Sequence, residues 1–576
     1  VSGLDWAVLG GCLAFVVLFG LWKGRGHRDS TGYLLADRDA RWFTICLSIM
    51  ATQASAITFL STPGQAYVDG MRFVQFYLGL PLAMVVLSIT AVPLFHRLKV
   101  FTAYQFLEER FDGKTRTLAA VLFLAQRGLA VGLTIYAPAL VLSVLLGWNI
   151  HLNLVLVGSL VMIYTVTGGT RAVSWAQSWQ MLIITCGMVG AGVMVVHRLP
   201  PGVSFGDALH VAGSLGRLNA IDFSFDLQNR YNLWSGLVGG FFLALSYFGT
   251  DQSQVQRYLS GSSVAQSRMG LLANGLFKVP MQFLILLVGA MVFVAYQFTP
   301  PPVFFNPGPV QRVLAGEAAP EFRRAQEAYG SALAERAARA EAFIRARHGE
   351  GSLPAAREEL LRADAAAARK RSEAVGVLRR ADPALNPSDT NYVFLWYVLH
   401  NLPAGLVGLV LAAVFSASMS SMSAEINALG ATTVVDLWRR YAGGADTRKE
   451  MWVSRLATFG WGCFAIAFAE YASRLGSLVE AVNILGSLFY GTILGIFLVA
   501  FYVKRVRGGS AFWAAVAAEA AVLACFVFSG ISFLWYNVVG CVLVVGLSML
   551  FQKLGGVLPG TDPSGAPTSP DPRRKS

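Results

Sequence analysis

Long apolar runs separated by short polar loops recur along nearly the whole chain, and most are long enough to cross a bilayer. The pattern predicts about thirteen membrane-spanning helices. They fall at Leu4–Trp22, Trp42–Thr62, Phe73–Phe95, Leu118–Leu146, Leu152–Val166, Ala172–Val196, Trp234–Phe248, Met269–Phe298, Leu402–Met422, Trp452–Tyr471, Leu478–Val503, Ala511–Phe528 and Phe533–Phe551. Leu152–Val166 and Trp234–Phe248 are short for a span, and the second is expected to run somewhat further.

Two segments break the apolar rhythm. From about Thr299 to Thr390 a Pro-rich entry, TPPPVFFNPGP, leads into two stretches rich in Ala, Arg and Glu, Glu321–His348 and Ala355–Ala381, divided by the turn signal GEGSLP. This reads as a helical hairpin outside the membrane, or as a solvated insertion with partial order. After Lys553 the chain becomes rich in Pro, Ser and Gly, as a disordered tail does. The organisation expected is a first span and loop (1–40), a five-span unit (41–198), a loop (199–233), and the start of a second unit (234–298). The insert (299–390), the rest of the second unit (391–505), two peripheral spans (506–552) and the tail (553–576) follow.

Composition agrees with lipid as the solvent. Of the 576 residues 55% are hydrophobic and 14% charged, against roughly 25% charged in soluble domains, and the mean hydropathy is +0.54. The net charge of +13 would suit nucleic acid, but its distribution does not. Lys and Arg gather in alternate short loops: Lys23, Arg25, Arg28, Arg38 and Arg41, then Arg97 to Arg116, Arg171, Arg257 and Arg268, Arg439 to Lys449, and Lys504 to Arg507. The intervening short loops hold only Arg72, Arg198, Arg217, Arg230 and Arg474. That asymmetry is the positive-inside pattern, placing the N-terminus outside and the C-terminus in the cytoplasm. The first apolar run lacks a small-residue cleavage site and reads as a retained span. The six cysteines all lie in apolar runs without a CxxC pair, and the seven histidines are scattered, so neither disulfides nor a metal centre is expected.

No GxxxxGK[ST], HExxH or TVGYG-like segment occurs, and the single GxSxG match, Gly202–Gly206, lies in a loop between apolar runs; neither an ATP motor, an enzyme nor a potassium-type channel has positive support. Transporters bind solute and ions where spans unwind near the midplane. The middle of the second span, Ala51-Thr52-Gln53-Ala54-Ser55, is small and polar. It is either an unwound turn freeing carbonyls for a cation or a small-residue packing face. The ninth span carries Ser416, Ser418, Ser420, Ser421 and Ser423. These are either hard oxygen ligands, with Ala417 O on the face of Ser420, or serines bonding back to carbonyls one turn earlier. Charged residues within or beside spans are Arg127, Asp251, Lys278, Glu480 and Glu519. Asp251 and Glu480 read most simply as snorkelling to an interface, Lys278 less so.

Together YLLADRDARWF, ATQASAITFLSTPG, YTVTGGTRAVSWAQ, DQSQVQRYL and AAVFSASMSSMSAEINALGATTVVDLW make the sequence resemble the sodium:solute symporter family over nearly all of the chain outside insert and tail. The resemblance implies an all-α polytopic membrane protein of the leucine-transporter type. Its two inverted five-helix repeats would be the second to sixth and the seventh to eleventh spans. It implies a sodium site built from the carbonyls of Ala51, Ala54 and Ala417 and the hydroxyls of Ser420 and Ser421. Some relatives hold a second sodium with an acidic residue after the GGxxAVxW motif. Here that position resembles Gln177, and of the further hydroxyls Ser423 is present but its neighbour is Ala424; the neutral amide implies one sodium per cycle. Matched substrate positions are Gln53, Ile57, Thr58, Gln75 or Tyr77, Asp251, Lys278 and Asn483. Lys278 resembles the sugar-transporting branch, whereas IYAPALVLS and TFLSTPGQAY look like the monocarboxylate, vitamin and iodide branch.

The expectation is a sodium-coupled symporter of a small organic solute, sugar, polyol or monocarboxylate, in a bacterial inner membrane. Sodium is its coupling ion, it has no nucleic-acid partner, and the insert is a place for an extracytoplasmic partner. A sodium-independent or proton-coupled carrier on the same fold, or a transporter-like sensor, is the alternative.

Overall fold

The computed structural model describes residues 1–23, 39–383, 385–442, 447–472 and 477–555. Arg25, Arg28, Arg38, Arg474 and the tail from residue 556 lie outside the described residues, as do the side chains of Lys23, Arg171 and Arg448. Among the described residues every regular element is a helix, with one isolated bridge between Ala40 and Gly261. Among the described residues ten helices are long and apolar enough to cross a membrane, and Trp42–Gln53, Ile150–Ile163 and Ser235–Gly249 are shorter apolar helices.

The first span is α1 (Gly3–Lys23). The second is broken into α2 (Trp42–Gln53) and α3 (Ala56–Asp69). A 3₁₀ turn (Gly70–Tyr77) leads to α4 (Leu80–Ile89) and α5 (Ala91–Leu98). Next come α6 (Gly113–Leu146) and α7 (Ile150–His197). The Asp112 side chain caps α6 by accepting from Thr115 N at 2.8 Å, and Gly147, at φ +66°, ends it in the left-handed conformation that favours glycine. The two expected spans Leu152–Val166 and Ala172–Val196 fall within the single helical stretch α7, whose side chains at 164 and 167–172 are not described.

After the short α8 (Phe205–Ser214) a second broken span follows. It is a π turn (Ser235–Gly239) continued by α9 (Gly240–Gly249), then α10 (Gln252–Leu259). The run expected at Trp234–Phe248 is therefore the first half of a longer, interrupted span. α11 (Val264–Phe298) runs alongside α2 and α3 in the same direction: Gly270 packs on Ile45, and Gly289 lies so close to Pro63 that a Cβ there would sit 2.2 Å from Pro63 O. Such close backbone approach is how small residues join helices in lipid.

The insert forms α12 (Ala319–Arg347) and α13 (Leu353–Ala381). The ion pairs Arg380–Glu321, Arg336–Asp364 and Arg339–Glu359 join residues in reversed order, so the two helices are antiparallel. Gly349 (φ +100°) and Gly351 (φ +113°) supply the turn between them. Three contacts tie the hairpin to the body. Arg347 pairs with Asp207 of α8, and His348 Nε2 lies 3.0 Å from the same carboxylate. Arg336 Nη2 donates to Tyr296 O at 2.6 Å. Arg371 Nη2 donates to both carboxylate oxygens of Asp389, at 2.9 and 2.7 Å. Asp389 immediately precedes α14 (Thr390–Asn401). Asn391 in turn accepts from Ser61 Oγ of α3 at 2.7 Å and from Leu478 N at 3.3 Å.

α15 (Leu406–Thr432) is the centre of the body, with 89% of its apolar window buried against 22% for α1 and for the following α16 (Thr447–Ala472). The chain ends in α17 (Leu478–Tyr502), α18 (Gly508–Phe528) and α19 (Leu534–Gly555). The six cysteines are all free thiols.

Candidate cation site at a broken helix beside a polar cavity

The break after Gln53 follows from residues that contribute little helical packing. Ala54 sits at φ −86°, ψ 74° and Ser55 at φ −75°, ψ 170°, both outside the helical region. A continuous helix would bring Ser55 N to Ala51 O and Thr58 N to Ala54 O. Instead Ser55 N donates to Gln53 O at 3.1 Å and Thr58 N to Ser55 O at 2.9 Å. The carbonyls of Ala51 and Ala54 are thus released from the ladder within a span, where a buried acceptor needs a partner.

α15 supplies one. Ser420 Oγ donates to Ala51 O at 3.0 Å. Ser421 Oγ donates to Ala417 O at 3.0 Å and also reaches Ser418 O at 3.3 Å. Ala51, Ala54, Ala417, Ser420 and Ser421 are all fully buried. One pair of the five expected ligands, Ser420 and Ala51, meets across the two helices, whereas Ser421 bonds back to Ala417 one turn earlier on α15 itself. These are neutral hard oxygens of the kind that suit a monovalent cation.

Gln177 of α7 lies against the same junction. Ser48 Oγ donates to its Oε1, and its Nε2 donates to Thr52 Oγ1 at 3.0 Å and to Ser420 O at 3.3 Å. Ser423 Oγ donates to Ser420 O at 3.1 Å. The amide thus fastens α2 to α15 with N–H donors, where a carboxylate would present negative charge.

A cavity of about 100 Å³ adjoins the break. Thr52, Gln53, Ser55, Ile57 and Thr58 line it from α2 and α3, Tyr77 from the 3₁₀ turn, Arg127 and Thr134 from α6, and Asn483 and Tyr490 from α17. Of the expected substrate residues, Gln53, Ile57, Thr58, Tyr77 and Asn483 are here. Gln75, Asp251 and Lys278 are not in the lining, for different reasons. Gln75 spends its amide elsewhere: Nε2 donates to Tyr231 O at 3.0 Å and Arg72 O at 3.2 Å, and Oε1 accepts from Asp222 N at 3.0 Å. Lys278 is fully buried on α11 with no partner for Nζ, one turn beyond Gly275, which packs on Met84 of α4. Asp251 stands one layer behind the wall. It sits in the second break, caps α10 by accepting from Ser253 N at 2.9 Å, and holds Arg127 and the Tyr490 hydroxyl, the latter at 2.9 Å.

The snorkelling expectation for Asp251 is thereby corrected: the residue is 1% exposed and buried in an ion pair. Glu480 does sit at an edge, receiving Arg230 at 2.7 Å and the Tyr231 hydroxyl at 3.3 Å. Sequence reasoning missed Glu425, which lines the cavity and accepts from Arg127 Nη1 at 3.0 Å. The signal was present as a carboxylate in the middle of an apolar span, masked by the serines around it. A larger cleft of about 750 Å³ between α7, α11 and α3 has Thr185 as its one hydroxyl-bearing lining residue and offers no comparable chemistry.

Two interrupted spans beside a buried polar centre, with Ser420 of a central helix donating to the released Ala51 carbonyl, fit a polytopic membrane protein of the leucine-transporter type. A solved sodium-coupled sialic acid symporter in a substrate-bound outward-open state has this fold, with TM-score 0.74 and 21% identity over 96% of this chain and 98% of that one. Residues 33–321 and 374–518 match the model of the sodium:solute symporter family, and the chain belongs to that family. It is 26% identical to the sodium-coupled monocarboxylate transporter 1 of Xenopus laevis over 84% of its own length. It is likewise 26% identical to the sodium-dependent multivitamin transporter of Oryctolagus cuniculus over 86%. The matched regions span 65% and 66% of those two relatives. With the sodium/sialic acid symporter SiaT of Proteus mirabilis it shares 24% identity over 94% of this chain and 93% of that protein.

Proposed function

We propose that the chain is a sodium-coupled symporter of a small organic solute, a sugar, polyol or monocarboxylate, moving one sodium per cycle by alternating access across a bacterial inner membrane. The observation that carries the reading is the hydrogen bond from Ser420 Oγ to Ala51 O at 3.0 Å, directly at the helix break and beside the polar cavity. Sodium held by Ala51, Ala54, Ala417, Ser420 and Ser421 would replace weak hydroxyl–carbonyl bonds by ion–oxygen contacts and lock α15 to the broken span. Gln53, Ile57, Thr58, Tyr77 and Asn483 then face the solute. Ordering of Thr52 and Gln53 by the ion transmits sodium binding to the cavity, because these residues adjoin both. By linkage the solute tightens sodium by the same factor. Each charge carried inward through 100 mV releases about 2.3 kcal/mol. The orientation that fits the basic loops puts the C-terminus in the cytoplasm and the insert outside.

Thermal stabilisation of the purified full chain by sugars, polyols, monocarboxylates and amino acids, each in sodium and in choline, tests the proposal. Stabilisation that appears only with sodium is expected. Equal stabilisation in both salts would overturn the coupling and favour a sodium-independent carrier.

A further inference from the structure

Two charged side chains of the cavity wall, Arg127 and Glu425, meet a third, Asp251, one layer behind it. Arg127 donates from Nη1 to Glu425 Oε1 at 3.0 Å and from Nη2 to Asp251 Oδ2 and the Tyr490 hydroxyl. The three residues are 3%, 4% and 1% exposed, in the order Arg127, Glu425, Asp251. We infer that the cavity selects an uncharged solute rich in hydrogen-bond donors, a polyol or sugar, and rejects monocarboxylates and inorganic anions. The inference rests on the solute-carrier reading above and narrows it.

Two independent features of the wall support this. First, no cation is left for an anion to pair with. Arginine recognises a carboxylate through two adjacent N–H groups. Both terminal nitrogens of Arg127 are engaged, and only Nε lacks a partner, so no adjacent pair is free. No other Arg, Lys or His lines the cavity. With both carboxylates ionised the wall carries one surplus negative charge, and an entering anion meets it across a low-dielectric space. With Glu425 protonated the surplus vanishes, but Arg127 remains held by Asp251.

Second, three of the four unmet lining groups are acceptors, the fourth being Arg127 Nε. Glu425 Oε2, Gln53 Oε1 and Gln126 Oε1 are buried without a hydrogen-bond partner, and all three residues line the cavity. Buried acceptors left unmet are costly, and a bound group that supplies donors removes the cost. Hydroxyls of a polyol do so; a carboxylate brings further acceptors. Sodium in the adjacent site would balance the surplus charge, so that a neutral solute enters a neutral pocket. That is a physical reason for the coupling.

The test uses matched probes on the purified full chain: glucose with gluconate and lactamide with lactate, each in sodium and in choline, followed by thermal stabilisation. The neutral member is expected to bind at least about tenfold tighter than its acid. Glu425→Gln, which keeps size and removes charge, is expected to shrink that ratio severalfold. An acid that binds as well as or better than its neutral partner, with sodium, would overturn the inference and leave the symport reading standing. Neutral binding that is equal in choline would do the reverse. No binding by any probe of either charge would overturn both. Should the Gln variant fail to fold, the wild-type pairs decide alone.

Discussion

Replacing Ser420 by Ala removes one oxygen from the proposed cation site and little else. The side chain is fully buried and makes a single hydrogen bond, to Ala51 O at 3.0 Å. A hydrogen bond between neutral groups is worth roughly 0.5–1.5 kcal/mol net, and one to a charged group roughly 1.5–3 kcal/mol. Without sodium, Ser420→Ala should therefore lower stability by about 1 kcal/mol, softened by the better helix propensity of Ala. With sodium, the loss of an ion–oxygen contact should weaken binding by about 1.5–3 kcal/mol, a rise of roughly 10- to 150-fold in the dissociation constant. The assay is melting temperature as a function of sodium concentration at constant ionic strength, because stabilisation follows RT ln(1 + [L]/Kd). The Ser420→Ala curve should keep its shape and move to higher sodium. Ser418→Ala is the control: that hydroxyl donates to Thr134 O at 3.3 Å on α6, not to a carbonyl of the broken span. A sodium midpoint in Ser420→Ala within twofold of wild type would refute the assignment of the ligands.

Three further outcomes are expected. Gln177→Leu should leave Ser48 Oγ without an acceptor and sever the link from α7 to Ser420 O, lowering the melting temperature in choline by the equivalent of about 1–3 kcal/mol; an unchanged melting temperature would show that the amide carries no load. Arg371→Ala should release the hairpin from Asp389, seen as faster tryptic cleavage between residues 319 and 381, with uptake changed less than cleavage if the insert is peripheral to transport. The pH response of the other anchor has a fixed sign. Burial disfavours the Asp207 anion, but hydrogen bonds from the Ser204 side chain and backbone and the contact with Arg347 outweigh it and hold the carboxyl down at about 2. A lowered folded-state value means the contribution is present above the unfolded value near 4 and is lost as pH falls toward 2. A fluorophore pair between α8 and the α12–α13 turn should report separation over that range, and Asp207→Asn should abolish the response.

Much of the site was legible because it is built from local features. The break at Ala54–Ser55 follows from a stretch of small and polar residues in an otherwise apolar span, and the serines of α15 are consecutive in sequence. Matching motifs then paired the two segments, and the hydrogen bond from Ser420 to Ala51 joins them. The ends of the hairpin helices were legible as well, since Ala, Arg and Glu favour helix and GEGSLP does not. Glu425 escaped because its meaning lies in its partner. A carboxylate among serines reads as polar decoration until Arg127, 298 positions away, is placed against it. Asp251 escaped in the same way: beside a polar stretch it looks interfacial, and only the interruption of its span carries it inward. Gln75 and Lys278 show the converse. Each stands at a position that matches a substrate residue, but the Gln75 amide is spent on Tyr231 and Asp222 in the loop before the second broken span, and Lys278 lies one turn from where α11 packs on α4.

Sequence by itself determined the solvent, the approximate limits of most spans, and the small polar stretch and the serines that are candidates for a break and its partners. These depend on composition and on the conformational preferences of adjacent residues, which act locally. Only the tertiary structure decided which charges neutralise one another and which acceptors stay unmet, and through them which solute the cavity fits. A buried ion pair in lipid is fixed by the distance between side chains on separate helices, and the sequence along any one helix does not record that distance.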